Sequence, residues 1–215
     1  MKKIAILGTG GFARELVPII KDINKVAPTY DFIGFVDGAL EKGTLVNGYP
    51  VIGNDDDINA TTEPLSLVLA FGEPNLKKKV YSKFDNPLID FPAIVHPSVW
   101  IGDQDFVKIG IGCIICAGNM ITTNVELSDF IILNLGCTVG HDTKIGAFSS
   151  FMPSVNISGE VNIGECVYVG TGAKIINQLE IGEHTIVGAG AVVSKSLPSN
   201  CTAVGVPAKP IKFHN

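Results

Sequence analysis

Residues Val155 to Gly170 read VNISGEVNIGECVYVG, and within them a large apolar residue returns at every sixth position, at Ile157, Ile163 and Val169. Stepping by six in both directions extends the series to Ile109, Ile115, Ile121, Leu127, Leu133, Val139, Ile145, Phe151, Ile157, Ile163, Val169, Ile175, Ile181, Val187 and Val193. Apolar residues make up 46% of the chain, so fifteen consecutive hits do not arise from composition. Two places before these beats stand small or β-branched residues, as at Thr143, Ser149, Val155, Val161, Val167, Ala173, Thr185 and Ala191. Glycine often follows a beat, at Gly110, Gly140, Gly146, Gly164, Gly170, Gly182 and Gly188.

Side chains alternate across a strand, so a beat and the residue two before it face inward while their neighbours face outward. The other two positions of each hexad turn a corner. A chain that turns every six residues and stacks on itself is a solenoid, and a triangular coil takes about 18 residues, so the beats make about five coils. Upstream, the beat slips to Val95, Ile101 and Val107, which predicts a first coil out of register. Downstream, Val193 to Pro198 (VSKSLP) and Ala203 to Lys212 (AVGVPAKPIK) predict the cap that a solenoid end requires.

The chain has 215 residues, and its 16 basic and 21 acidic residues give a net charge of −5. That balance lacks the positive field that binds a phosphate backbone, so nucleic acid is not an expected partner. Lys2 and Lys3 precede only the short apolar run Ile4 to Leu7, too brief for a signal peptide. No stretch reaches the roughly 18 apolar residues of a membrane span, and a soluble cytoplasmic protein is expected. Cys113, Cys116, Cys137, Cys166 and Cys201 are expected as free thiols. Cys113 and Cys116 have C-x-x-C spacing, but no second pair or histidines at ligand spacing accompany them, so no metal site is expected.

The first ninety residues have another rhythm. Lys3 to Leu7 (KIAIL) has the pattern of a buried strand, Gly8 to Arg14 reads GTGGFAR, and a helical run follows from Glu15 to Asp22. This is G-x-G-x-x-A between strand and helix, where glycines let a phosphate approach amides at a helix N-terminus. Gly8, Gly10, Gly11, Phe12 and Arg14 are therefore candidate ligand-binding residues; the alternative is a turn that only connects two elements. A second strand, Phe32 to Val36, ends at Asp37 and Gly38, placed to meet a ribose or base. A third, Leu65 to Phe71, runs into Gly72, Glu73, Pro74 and Asn75 before a helix over Leu76 to Phe84 that exposes Lys77, Lys78 and Lys79. Alternating strands and helices imply a parallel sheet. A dinucleotide needs two mononucleotide-binding halves, whereas this length supplies one, so a nucleotide-linked small molecule is expected rather than a nicotinamide cofactor. The expected organisation is an α/β domain over residues 1–90 and an all-β solenoid with its cap over 91–215.

GTGGFAREL (Gly8 to Leu16), VDG (Val36 to Gly38), FGEPNLKKK (Phe71 to Lys79), the isoleucine-rich beat with His141 and Asp142, and GVPAKP (Gly205 to Pro210) carry a resemblance across the chain. It resembles bacterial nucleotide-sugar N-acetyltransferases and sialic-acid O-acetyltransferase-like proteins. These are hexapeptide-repeat acyltransferases with a Rossmann-like domain before a left-handed parallel β-helix. The resemblance implies the handedness, acetyl-CoA as cosubstrate, and a homotrimer with active sites between subunits. It also implies a nucleotide-linked amino sugar as acceptor, first of all a UDP-4-amino-4,6-dideoxyhexose for surface glycan synthesis. Its nucleotide would be held by the residues of the first domain, Gly72 and Asn75 among them.

Val139 is a beat, so His141 and Asp142 occupy a corner, where alternation lapses and neighbouring side chains can interact. A carboxylate beside an imidazole fixes one tautomer and makes the ring more basic, the arrangement of a general base. On the residues alone, a solvated turn histidine is the alternative. The resemblance implies that His141 is the base, Asp142 its acidic partner and Asn134 a further active-site polar group. It makes Gly159, eighteen residues on in the same column, the amide facing the acetyl carbonyl. Ser150 stands where many relatives carry a second histidine and is a candidate coenzyme contact, and Lys195 and Lys209 fall near the coenzyme's phosphates, unless they are only solvated. His96, His184 and His214 are weaker candidates. Two other functions fit the sequence: O-acetylation of sialic acid or a related sugar, and a non-enzymatic trimeric scaffold that binds a nucleotide.

Overall fold

Ile4, Ala5, Ile6 and Leu7 are apolar at consecutive positions, as a strand covered on both faces must be, and none is more than 2% exposed. They belong to β1 (Lys2–Leu7), which pairs in parallel with β2 (Tyr30–Val36) on one side and β5 (Leu65–Leu69) on the other. The computed structural model describes residues 1–214 and resolves two units, Met1–Pro97 and a second from Ser98 onward. In the first unit the sheet is completed by β3 (Leu45–Val46), β4 (Tyr49–Gly53) and β6 (Ile89–Asp90), in the order β3-β4-β2-β1-β5-β6. The chain leaves β1 toward β2 and later returns to β5 on the opposite side, so a crevice opens beyond the C-terminal end of β1. Open α/β sheets bind ligands at that point.

Helix α1 (Gly11–Val26) turns Ala13, Leu16, Val17 and Ile20 inward, the spacing of one helical face. It begins four residues before the expected start, because Gly10 in an extended conformation lets the chain pass straight from turn to helix. Helix α2 (Asp55–Asn59) and the β3–β4 hairpin are additions to the expected elements. The hairpin turns on Asn47 and Gly48, both at positive φ (49° and 83°), the pair that a tight two-residue turn favours. Helix α3 (Pro74–Tyr81) starts with proline and is capped by the Glu73 carboxylate. Pro74, Lys77 and Val80 lie three apart and are buried together, so Lys77 is 1% exposed. This corrects the expectation of three exposed lysines: only Lys78 and Lys79 face water, because helical periodicity turns the residue before them inward.

The second unit is a left-handed parallel β-helix. Its first wall stacks Trp100–Ile101, Met120–Ile121, Thr138–Val139, Asn156–Ile157, Lys174–Ile175 and Val192–Val193, all in parallel. The second wall stacks Val107–Ile109, Val125–Leu127, Lys144–Ile145, Asn162–Ile163 and Glu180–Ile181. The third includes Ile114–Ile115, Ile132–Leu133, Ser150–Phe151, Tyr168–Val169, Ile186–Val187 and Cys201–Val204, and Lys209–Phe213 folds back antiparallel at its end. Beats from Ile115 to Val193 are at most 5% exposed, and the small residues two before them are also buried. Each buried aliphatic side chain removed from water contributes roughly 1.5–3 kcal/mol.

The first wall has six rungs rather than five, because Trp100–Ile101 adds one below the regular series. Ile101 pairs with Ile121, twenty positions on, whereas Ile109 pairs with Leu127, eighteen on. The 3-10 turn Gln104–Phe106 absorbs the two additional residues. Val107 therefore stands two places before the beat at Ile109 rather than on a beat of its own. At the far end Val187 pairs with Ala203, sixteen positions on, and the shortened coil closes into the terminal hairpin.

The third residue after each beat from Ile109 to Val187 adopts a left-handed backbone. Asn124, Phe130, Asp142, Phe148, Ser154, Glu160, Cys166, Gln178 and His184 have φ between 53° and 62°, and Gly112, Gly118, Gly136, Gly172 and Gly190 fill the other corners. For a residue with Cβ this costs roughly 1–2 kcal/mol. A bond to the coil below offsets that cost: Asp142 N–H donates to Thr123 O at 3.2 Å and Glu160 N–H to His141 O at 2.7 Å.

Candidate active site

The glycines after the beats serve close stacking. A Cβ on Gly140 would lie 2.5 Å from the Gly159 nitrogen one coil on, so a side chain there would push the coils apart. The chain then presents His141 at the corner and Asp142 in the left-handed conformation. Asp142 Oδ2 accepts from His141 Nδ1 at 2.8 Å, and Asp142 Oδ1 accepts from Asn124 Nδ2 at 2.9 Å. The His141 bond, and after it the Asn124 bond, hold the Asp142 carboxyl below the usual carboxylate range. A carboxylate only accepts, so His141 carries its proton on Nδ1 and turns the lone pair of Nε2 outward.

Gly159 stands against that nitrogen: a Cβ at this position would lie 2.5 Å from His141 Nε2. Among the described residues, neither His141 Nε2 nor the Gly159 N–H makes a hydrogen bond. An acceptor nitrogen and an uncommitted backbone donor thus lie side by side, the pair that proton removal and oxyanion stabilisation require. The two hydrogen-bonded side chains are half open, 55% exposed for His141 and 49% for Asp142.

His141, Gly159, Asn177 and Lys195 follow at intervals of eighteen and share one edge of the prism. At the ~4.8 Å spacing of paired strands, Lys195 stands about 14 Å along that edge from His141. Its side chain is exposed, as is that of Lys209. Ala208 N–H donates to Val192 O at 2.8 Å, which ties the turn before Lys209 to the top of the same wall. Asn134 and Ser150 lie on the third wall, and among the described residues no bond joins either to His141. Asn134 Oδ1 accepts from Leu135 N–H at 2.7 Å. Ser150 has no exposed surface, so a coenzyme contact expected there meets no accessible side chain.

In the first unit, Gly8 (φ 104°) ends β1 and its N–H donates to Val36 O at 2.8 Å, bringing the turns after β1 and β2 together. Thr9 Oγ1 donates to Asp37 Oδ2 at 2.6 Å, and Asp37 Oδ1 accepts from Ala39 N–H at 2.8 Å. A Cβ on Gly10 or Gly11 would meet nothing within 4 Å, so neither packing nor φ demands glycine there. No side chain caps α1 and no acid stands in its first turn. The start of α3 differs: Glu73 caps Asn75 N–H and Leu76 N–H, so the terminus beside Gly72 and Asn75 already holds a carboxylate. Phe12 is half-buried and Arg14 exposed, its Nε donating to Gly10 O at 3.3 Å. Beside Asp37, Gly38 borders a cavity of about 500 Å³ lined also by Asn54, Asp55, Asp56, Asn59 and Lys83.

Asn124 and this cavity escaped the sequence reading. Asn124 was accessible to it, since it stands eighteen residues before Asp142 in one column; the cavity depends on α2, which carries no apolar period long enough to detect. All five cysteines are buried thiols outside any disulfide, and burial pushes the Cys137 thiol up to about 11. Among the described residues, no group of three or more His, Cys, Asp or Glu could hold a metal ion. No helix among them is long and apolar enough to cross a membrane.

Residues 3–84 match the PglD N-terminal domain. Over 176 residues, 81% of this chain and 78% of the relative, the sequence is 32% identical to a GDP-perosamine N-acetyltransferase of Escherichia coli O157:H7. PerB from Caulobacter crescentus, solved in complex with CoA and GDP-perosamine, superposes with a TM-score of 0.86 at 32% identity, covering 99% of this chain and 98% of that one. The acetyltransferase domain of PglB from Neisseria gonorrhoeae, solved with acetyl coenzyme A, gives 0.88 at 30% identity, covering 98% and 99%. With the six-residue repeat, these relatives place the chain among the hexapeptide-repeat acyltransferases. Within that class the chain belongs to the nucleotide-sugar N-acetyltransferase family.

Proposed function

We propose that the protein transfers the acetyl group of acetyl-CoA to the amino group of a nucleotide-linked sugar, with His141 as general base. The observation that carries this reading is the juxtaposition of His141 Nε2 with the uncommitted Gly159 amide, on an edge that leads to Lys195. The amine attacks the thioester carbonyl and passes its proton to Nε2. Asp142 stabilises the resulting imidazolium, the Gly159 N–H receives the oxyanion, and CoA leaves as the thiol. Lys195 and Lys209 attract the coenzyme's phosphates. Nitrogen is favoured over oxygen as the nucleophile because the relatives are named for N-acetylation.

The first unit holds the nucleotide: its diphosphate meets the open start of α1 at Gly10 and Gly11, and its base or ribose lies by Asp37 and the adjoining cavity. The uridine expected from the sequence gives way here to guanosine, on the strength of relatives named for GDP-perosamine. The working form is a homotrimer. Support comes from the half-open base, since electrostatic stabilisation is strong only where water is excluded and a second copy along the edge would exclude it. Thermal-shift measurement with UDP, dTDP, GDP and CMP, followed by thiol release with the matching amino sugars, tests the reading. Stabilisation by GDP and turnover that disappears in His141→Ala are expected; stabilisation by NAD alone, or full turnover in that variant, overturns it.

A further inference from the structure

We infer that Asn124 is a positioning residue for this reaction, locking the Asp142 carboxylate and through it the tautomer of His141. The inference rests on His141 acting as the base. A carboxylate held by one hydrogen bond can rotate about its side-chain bonds; one held at both oxygens cannot without losing a partner. Asp142 is held at both, by His141 on Oδ2 at 2.8 Å and by Asn124 on Oδ1 at 2.9 Å. Asn124 acts from the coil below, and its own φ of 53° matches the 57° of Asp142, so the two side chains leave equivalent corners in the same direction. The Asp142 backbone is tied to that coil as well, through Thr123 O at 3.2 Å.

The bond uses Nδ2, which only donates, so it favours the charged carboxylate over the acid. That is the form able to keep the proton on Nδ1 and leave Nε2 free for the substrate amine. Two coils up, the column repeats the device without a histidine: Gln178 Nε2 donates to Glu160 Oε2 at 3.1 Å. The corner geometry alone therefore supports amide-to-carboxylate pairing, and beside His141 the same pairing fixes a reactive ring.

Asn124→Gly keeps the left-handed backbone and deletes the donor, while Asn124→Asp keeps the shape and sets a second carboxylate against Asp142. Asn124→Gly is expected to lower kcat about tenfold with KM for acetyl-CoA within about twofold of wild type. Asn124→Asp lowers kcat further and moves the acid limb of the pH profile upward, because like charge makes Asp142 easier to protonate. In an Asp142→Asn background, Asn124→Gly costs nothing more, since the two act as one unit. The Nδ1 proton of His141, followed by NMR, exchanges faster in Asn124→Gly. An unchanged kcat and unchanged Nδ1 exchange in a folded Asn124→Gly protein, or losses that multiply with those of Asp142→Asn, overturn the inference. Should His141→Ala be inactive while Asn124→Gly is unimpaired, this inference alone fails; should His141→Ala be active, the base reading fails first.

Discussion

The corner at Gly140, His141 and Asp142 and the corner one coil on, at Ser158, Gly159 and Glu160, share a backbone. Each places its acid in the left-handed conformation, bonds that residue's N–H to the coil below, and gives the acid an amide partner in the same column. They differ in the middle residue, imidazole in one and hydrogen in the other. The repeat supplies a rigid frame, and the proposed chemistry enters where one residue breaks the pattern and its neighbour yields space for it. Glycine at 159 is thus part of the histidine's site, although its own side chain does nothing.

Breaking the difference should have the largest effect. His141→Ala is expected to lower kcat by about 10²- to 10⁴-fold in the thiol-release assay, with KM for acetyl-CoA little changed. Gly159→Ala comes next: its methyl would enter the volume of the imidazole, and displacing a catalytic group by about 1 Å costs roughly 10²-fold. Its melting temperature should stay near wild type, which separates a displaced ring from a damaged fold. Lys195→Ala is expected to raise KM for acetyl-CoA several-fold, about 1 kcal/mol of binding, and to leave kcat alone.

The pH dependence sharpens the comparison. Because the folded Asp142 carboxyl lies below its usual value, its bond to His141 is complete above the ordinary carboxylate range and is lost as pH falls through and below it. The wild-type pH–rate profile should therefore show no limb from Asp142 above about pH 5. The smallest effect belongs to the corner without a histidine: Gln178→Ala should leave kcat within about twofold, although it removes the same kind of bond as Asn124→Gly. A large loss there would mean that amide-to-carboxylate pairs hold the coils together rather than position a base.

The first unit was less legible than the solenoid. Fifteen beats report one geometry fifteen times, so local ambiguity cancels, whereas each strand of the first unit is reported once. The β3–β4 hairpin announced itself only through Asn47 and Gly48, and α2 is shorter than the period that would reveal it. Lys77 shows the same limit, for three lysines in a row look solvated until the helix turns one of them inward.

The sequence by itself determined the six-residue period, the inward and outward positions, the corner that carries His141 and Asp142, and the glycine turn after β1. These follow from covalent spacing and side-chain alternation, which depend on a few neighbouring residues. Only the tertiary structure decided that Asn124 reaches Asp142, that Gly159 borders His141 Nε2 with its amide uncommitted, and that Ser150 is buried. The eighteen-residue column lines these residues up, but which side chains touch, which amide stays open and which hydroxyl is covered are set by how the coils stack, which no local pattern encodes.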